Sequence, residues 1–335
     1  MFIFCLFSFL MFSCSDSTAP PDNGSLDTTS HNFNWTVDTI GDGTTWLNCV
    51  SIINEDNIWI GGSINSGNSN VMHWNGKEWE YIQIRDEQYN IPLTGIEDIW
   101  AISNDNIWIG IGSIYNYDGT IANLSYLRNI NTGERVTSLW YNTPDDIYGV
   151  GQDGIIVHYD GTSWQQINTN MTTTVMDIWG FINKQSNQKK ILATVSTDWY
   201  SISDDYKILS IKNNSYQDTL KWKWPEERPL MSIWFGQDSM VYVAGSGIAV
   251  YKDSAWLDIE SIPPHGVYKI RGSAWNNIFS AGQRGIITHY NGSTWHVYNE
   301  LEFDHGSLKD LAVTRNMVVA VGTIGERGII IRGNR

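Results

Sequence analysis

Residues 146–164 read DIYGVGQDGIIVHYDGTSW, and residues 277–295 read NIFSAGQRGIITHYNGSTW. Ten of the nineteen positions are identical across an offset of 131 residues, which marks a repeated structural unit. Within it, residues 147–150 and 155–159 are β-prone runs. Gly151 and Gly154 flank a turn between them. Asp160-Gly161 is a hairpin signal, because glycine adopts the left-handed backbone that such turns need. Trp164 opens a further strand, and residues 136–140 supply one upstream, turned by Pro144-Asp145-Asp146. The unit is therefore four antiparallel strands in about 40 residues. One such sheet cannot bury both of its faces, but copies packed face to face can.

Weaker copies fill the chain from His31 onward. Aligned at the end of the first strand, they are Val50-Ser51, Ile99-Trp100, Leu139-Trp140, Ile178-Trp179, Ile233-Trp234, Ile270-Arg271 and Leu311-Ala312, spaced by 37 to 55 residues. The third and fourth strands are joined by aromatic-Asn/Asp-Gly-x-x-Trp, as at Trp74 to Trp79, Tyr159 to Trp164 and Tyr290 to Trp295. Copies two and four fit least well; Ala122 stands where copy two should carry its Trp. The seventh copy ends at Arg335 without a Trp-bearing fourth strand, and Phe33-Asn34-Trp35-Thr36-Val37 resembles that missing piece. The expected fold is all-β: a seven-bladed β-propeller of four-stranded antiparallel blades, closed by the N-terminal strand near Trp35. Closure removes the sheet edges that invite aggregation.

The first thirteen residues, MFIFCLFSFLMFS, are apolar but too few to span a bilayer as a helix. They suit the core of a signal peptide, and Met11-Phe12-Ser13-Cys14 resembles a bacterial lipobox in which Cys14 is lipidated. Residues 14–30, rich in Ser, Thr, Asp and Pro, read as a disordered tether, and residues 31–335 as the propeller. The expected location is the bacterial cell envelope, with the membrane reached only through this lipid.

A net charge of −15 argues against nucleic acid and against electrostatic adhesion to anionic lipid. Three cysteines give no disulfide framework, and Cys49 reads as a small buried hydrophobe rather than a catalytic thiol. The phrase IW-x-x-G-x-x-G-x-I-x-H-Y-D-G-x-x-W resembles the tandem repeats of uncharacterised bacterial secreted and lipid-anchored proteins described as WD40/YVTN-like or Kelch-like propellers. That resemblance covers about Phe33 to Arg335; it implies architecture and carries no activity.

His73, His158 and His289 recur at one repeat position in different blades, so they point apart around the ring and no metal is expected. No cofactor is expected either. Twelve of the seventeen tryptophans fall on repeat positions, where packing between blades accounts for them; Trp46, Trp199, Trp222, Trp224 and Trp275 do not. In such propellers the turns between strands one and two, and three and four, share one rim, and the remaining connections share the other. Here the second set varies most, at 61–70, 83–95, 196–205 and 213–229. The last of these places Trp222, Trp224 and Arg228 together, aromatic planes beside fixed charge that suit a carbohydrate or peptide. Blades six, seven and one have Arg271, Ala312 and Ser51 where the others have Trp, which should widen one side of the ring. With Arg284 and Arg327, Arg271 forms a candidate anion-binding patch. The expected function is non-catalytic binding of a glycan, polymer or envelope protein on the variable-loop face by a monomer. The alternative is a glycan-active hydrolase or lyase on the same scaffold, for which hydrolysis needs two flanking carboxylates.

Overall fold

The computed structural model describes residues 28–41, 43–64, 69–183, 186–197, 206–220, 229–237, 240–260, 262 and 266–335. Among these, twenty-eight strands form seven four-stranded antiparallel sheets. Blade 1 is β2 (Trp46–Asn54), β3 (Asn57–Ser63), β4 (Val71–Trp74) and β5 (Trp79–Ile82). Blade 2 is β6 (Asp98–Ser103), β7 (Asn106–Gly110), β8 (Ile114–Tyr117) and β9 (Ala122–Tyr126), and blade 3 is β10 (Arg135–Thr143), β11 (Asp146–Gln152), β12 (Ile156–Tyr159) and β13 (Trp164–Gln166). Blade 4 is β14 (Val175–Asn183), β15 (Gln188–Val195), β16 (Lys207–Lys212) and β17 (Ser215–Thr219); blade 5 is β18 (Leu230–Phe235), β19 (Val241–Gly245), β20 (Gly247–Lys252) and β21 (Ala255–Asp258). Blade 6 is β22 (Val267–Ala274), β23 (Asn277–Gly282), β24 (Ile287–Tyr290) and β25 (Trp295–Val297). Blade 7 joins β26 (Gly306–Val313), β27 (Met317–Ile324) and β28 (Arg327–Asn334) to β1 (Asn34–Ile40) from the other end of the chain.

The first strands β2, β6, β10, β14, β18, β22 and β26 each touch the next around the ring, and β26 returns to β2, so they line the axis. The expected closure is present: β1 pairs with β28 from Asn34↔Asn334 to Ile40↔Gly328. Trp35 packs edge-on against Tyr298 of blade 6 at 4.7 Å, and Phe33 against Phe279 at 5.2 Å. The chain is held to the propeller from Thr29, whose N–H donates to the Asn291 carbonyl at 3.0 Å.

The repeat motif is explained by its own bonds. Asp160 Oδ1 accepts the N–H groups of Thr162 and Ser163, and Tyr159 donates its hydroxyl to the Gly161 carbonyl; Asn291 and Tyr290 do the same in blade 6. The repeated histidines stack on the second-strand aromatic, Trp59–His73 at 4.4 Å, Tyr148–His158 at 4.1 Å and Phe279–His289 at 4.3 Å. Each bonds through Nε2 to the residue opening that strand: Asn57, Asp146 or Asn277.

Copies two and four depart from the unit for visible reasons. Ala122 is fully buried because the connection from blade 1 folds over it: the Ala122 N–H donates to Arg85 O and its carbonyl accepts from Glu87 N. That added backbone occupies the place of an indole. In blade 4, the stretch 213–229 is not one long connection. Asn213 and Asn214 (φ 51° and 54°) form a tight turn into β17, and the connection to blade 5 starts only after Thr219.

Candidate functional site

Each first strand has a buried apolar residue at or near its start: Leu47, Ile96, Val136, Val175, Leu230, Val267 and Leu308. The next residue is set out of register in six blades, so that Asn48, Thr137, Met176, Met231, Tyr268 and Lys309 are bulged; in blade 2 Glu97 precedes β6 at the same place. A bulge leaves one residue unpaired and re-aims it. The opposing glycines make the bulge fit: a Cβ on Gly151 would lie 1.8 Å from Arg135 O, and one on Gly245 1.8 Å from Pro229 O. All seven of these residues line one axial cavity of about 360 Å³. They stand where the chain enters the first strands, so this funnel opens on the rim of the variable connections. Met176, Met231 and Tyr268 make an apolar arc, Asn48, Glu97 and Thr137 a polar one, and the Lys309 ammonium sits 4.4 Å from the Tyr268 ring centre.

Below the funnel, the next position in the seven blades is Cys49, Asp98, Ser138, Asp177, Ser232, Lys269 and Asp310. This ring is an inter-blade latch. Asp310 accepts Val50 N–H at 2.8 Å, Asp98 accepts Leu139 N–H at 2.7 Å, and Asp177 accepts Ile233 N–H at 3.0 Å, each from a neighbouring blade. Ser232 Oγ accepts Ile270 N–H at 3.2 Å. Asp177 is the hub: both nitrogens of Arg271 donate to it at 2.8 Å, Lys269 at 3.1 Å, Ser232 at 2.6 Å and Ser138 at 3.2 Å. Burial alone would push its carboxyl up, but the charges of Arg271 and Lys269 hold it well below the usual carboxylate range. Asp98 lacks such a partner, and burial pushes it up to about 6 despite Lys269, with Asp310 adding to the rise.

A second axial cavity, of about 170 Å³, lies toward the turn rim. Its walls include Ser51, Arg271 and Ala312, the three positions where the repeat lacks its indole, together with Trp100 and Trp179. The Arg271 guanidinium lies 4.8 Å from the Trp179 ring centre. Trp140 and Trp234 are instead buried between blades over Gly180 and Gly272, where a Cβ would meet their rings at 2.2 and 2.8 Å.

The structure does not bring the three candidate arginines to one partner. Arg271 belongs to the innermost strand and is saturated by Asp177, Ser232 and two carbonyls. Arg284 lies in the left-handed turn after β23 and pairs with Asp304 at 3.2 Å. Arg327 opens β28 and donates to the Gly41 and Thr39 carbonyls. Cys14, Trp222, Trp224 and Arg228 lie outside the described residues. Cys49 is buried, as its neighbours suggested. The funnel and latch rings were overlooked in the sequence. Their signal lies one and two places before the aligned dipeptide, where Asp recurs at 98, 177 and 310.

No family model matches the chain, and no curated protein matches it. Solved structures share its fold. A structure of YCF48 bound to D1 peptide superposes with a TM-score of 0.64 at 14% identity, covering 93% of this chain and 100% of that one. The WD40 β-propeller domain of Doa1 gives 0.67 at 13%, covering 90% and 97%, and YCF48 from Cyanidioschyzon merolae gives 0.64 at 12%, covering 89% and 98%. At these identities the likeness shows the fold alone, a β-propeller.

The seam where β1 closes the ring carries a histidine cluster. His31 Nδ1 lies 2.9 Å from His289 Nδ1, and the His296 ring lies tilted beside His31 with centroids 5.2 Å apart. Burial, then the charges of His31, Arg335 and His296, push His289 down to about 3. The unfolded chain therefore takes up a proton from pH 6.5 downward that the folded chain refuses until about 3, so stability falls across that window by up to about 1.4 kcal/mol per pH unit. Asp98 acts oppositely: folded at about 6 and ordinarily at 3.8, it adds stability as pH falls from 6 to 4. The two nearly offset, while His31, also lowered by burial, and the carboxylates of Asp146 and Asp177, held low by their partners, add to the loss, so wild-type Tm should fall as pH drops from 6 to 4. His289→Asn, which copies the Asn116–Asn106 pair of blade 2, should lose less Tm than wild type on acidification. A variant whose Tm stays parallel to wild type in thermal melts would refute this assignment.

Proposed function

We propose that the chain is a non-catalytic propeller that holds a protein partner over the axial funnel, and that a lipid on Cys14 tethers it in the cell envelope. The observation that carries this reading is the convergence of seven side chains, one per blade and six of them on bulges, on a single mouth above a waist of buried ion pairs. The scaffold spends its bulges on presenting side chains rather than on pairing. The YCF48 structure, which is similar in fold, holds a D1 peptide. In the sequence, the stretch bearing Trp222, Trp224 and Arg228 ends three residues before Met231.

Glycoside hydrolysis at the axis is disfavoured, because Asp98, Asp177 and Asp310 each spend an oxygen on a neighbouring blade's amide. The reading is tested by probing peptide and glycan arrays side by side. Peptide binding should weaken about tenfold or more with Tyr268→Ala or Met231→Asp, the loss expected for an interface anchor. Glycan binding indifferent to both substitutions would sink it. In cells, Cys14→Ser should move the chain from the membrane fraction to the soluble one; unchanged partitioning would refute the anchor.

A further inference from the structure

Asp98, Lys269 and Asp310 line both axial cavities, so they form the partition between them. At this waist three carboxylates, Asp98, Asp177 and Asp310, face two cations, Lys269 and Arg271. Asp177 engages both cations at hydrogen-bond distance. What is left is asymmetric. Among the described residues Asp98 accepts backbone N–H groups alone, from Ile99 and Leu139. Asp310 is 6% exposed; its Oδ2 accepts Val50 N–H, but its Oδ1 has no hydrogen-bond partner among the described residues, and Lys269 Nζ stands off at 3.6 Å. A buried carboxylate oxygen without a donor is costly, and a net negative charge in a buried neck more so. The excess lies on the arc of blades 7, 1 and 2. There the Cys49 thiol, between the two carboxylates, is pushed well up by burial and then by Asp98 and Asp310.

Across the funnel from that arc, on blades 4, 5 and 6, stand the walls that an alkylammonium needs. Met176, Met231 and Tyr268 offer apolar surface to an aliphatic stem whose charged head reaches polar ground beyond it. At the rim, Lys309 already lays its own ammonium on Tyr268.

We propose that the funnel admits a lysine side chain of the protein partner, its stem along Met231 and Tyr268 and its ammonium drawn to the carboxylates of Asp98 and Asp310 at the waist. The inference rests on the funnel's being the partner site, and its test separates the two. Random linear heptapeptides are selected on the wild-type protein, and the recovered sequences are resynthesised with each lysine replaced by norleucine, which keeps the stem and removes the charge. Selected peptides should be enriched in a single lysine, and norleucine should weaken them about tenfold, the worth of one charged hydrogen bond. Asp310→Asn, which keeps an oxygen for Val50 N–H, should erase the difference between the two peptides. The norleucine comparison is decisive even if that variant folds poorly. Peptides that depend on Tyr268 but tolerate norleucine overturn the lysine anchor and leave the funnel reading standing. No Tyr268-dependent peptide at all overturns both. Butylammonium chloride that binds as tightly as the lysine peptides would make the ligand a small amine and overturn the protein partner.

Discussion

Asp177→Ala should cost about 3–5 kcal/mol of folding stability, the effect expected when one partner of a buried ion pair is removed. The carboxylate sits on the second blade-lining strand after Asp98 and ties four blades together: its own, blade 3 through Ser138, blade 5 through Ser232 and Ile233 N–H, and blade 6 through Lys269 and Arg271. Its side chain is 1% exposed, so water cannot take over these bonds. Alanine leaves two cations facing each other in the neck of the ring, together with an orphaned backbone N–H. Urea unfolding reads the loss as a lower midpoint. Replacing the pair by apolar residues, Asp177→Leu with Arg271→Met, should recover part of it, because the desolvation of two charges is then no longer required. A single variant within about 0.5 kcal/mol of wild type, the range of an ordinary surface substitution, would mean that Asp177 is not the latch described.

Removal of β1 should have a comparable or larger effect. Without residues 28–41 the seven Cα pairs between β1 and β28 are lost, as are the contacts of Trp35 with Tyr298 and of Phe33 with Phe279. The β28 edge, with Ile329, Ile330 and Ile331 in an unbroken apolar run, would then present unpaired backbone groups. Such an edge is a template for pairing with another chain. The truncated protein should therefore elute as aggregate on size exclusion and lose its cooperative unfolding transition. A synthetic peptide of residues 28–41 added during refolding should restore a monomer-sized peak. A truncated chain that stays at monomer size and unfolds cooperatively would show that the ring does not depend on this strand.

Much of the fold was legible because the repeat is local. Asp160-Gly161 and Asn291-Gly292 announce their turns by residue type, and the missing Trp-bearing strand after Arg335 pointed to Trp35. Blade 4 was less legible because its turn is built from Asn213 and Asn214, which reach the left-handed region without glycine. Ala122 looked like a defect, and is instead covered by a connection whose path no local pattern discloses.

The site was less legible than the fold, for a physical reason. The widened side of the ring at Ser51, Arg271 and Ala312 follows from side-chain size at one repeat position and could be read directly. Which arginines share a cavity depends on radius, and repeat alignment does not encode radius. Arg271 lies on the innermost strand, whereas Arg284 and Arg327 sit at turns between outer strands. The funnel depends on bulges, and a bulge is a property of two strands in register rather than of either sequence alone. Only the recurrence of Asp98, Asp177 and Asp310 one place before the aligned dipeptide hinted that the axis carries charge.

The central claim, that a partner docks on the axial funnel at the variable-connection rim, is tested most directly by position. A photo-reactive benzoylphenylalanine is placed in the full chain at Met231, in the funnel, or at Lys77, in a hairpin turn of the opposite rim. Irradiated cells should yield a discrete covalent adduct from the Met231 position and none from Lys77. Adducts from Lys77 alone, or equally from both positions, would contradict the account.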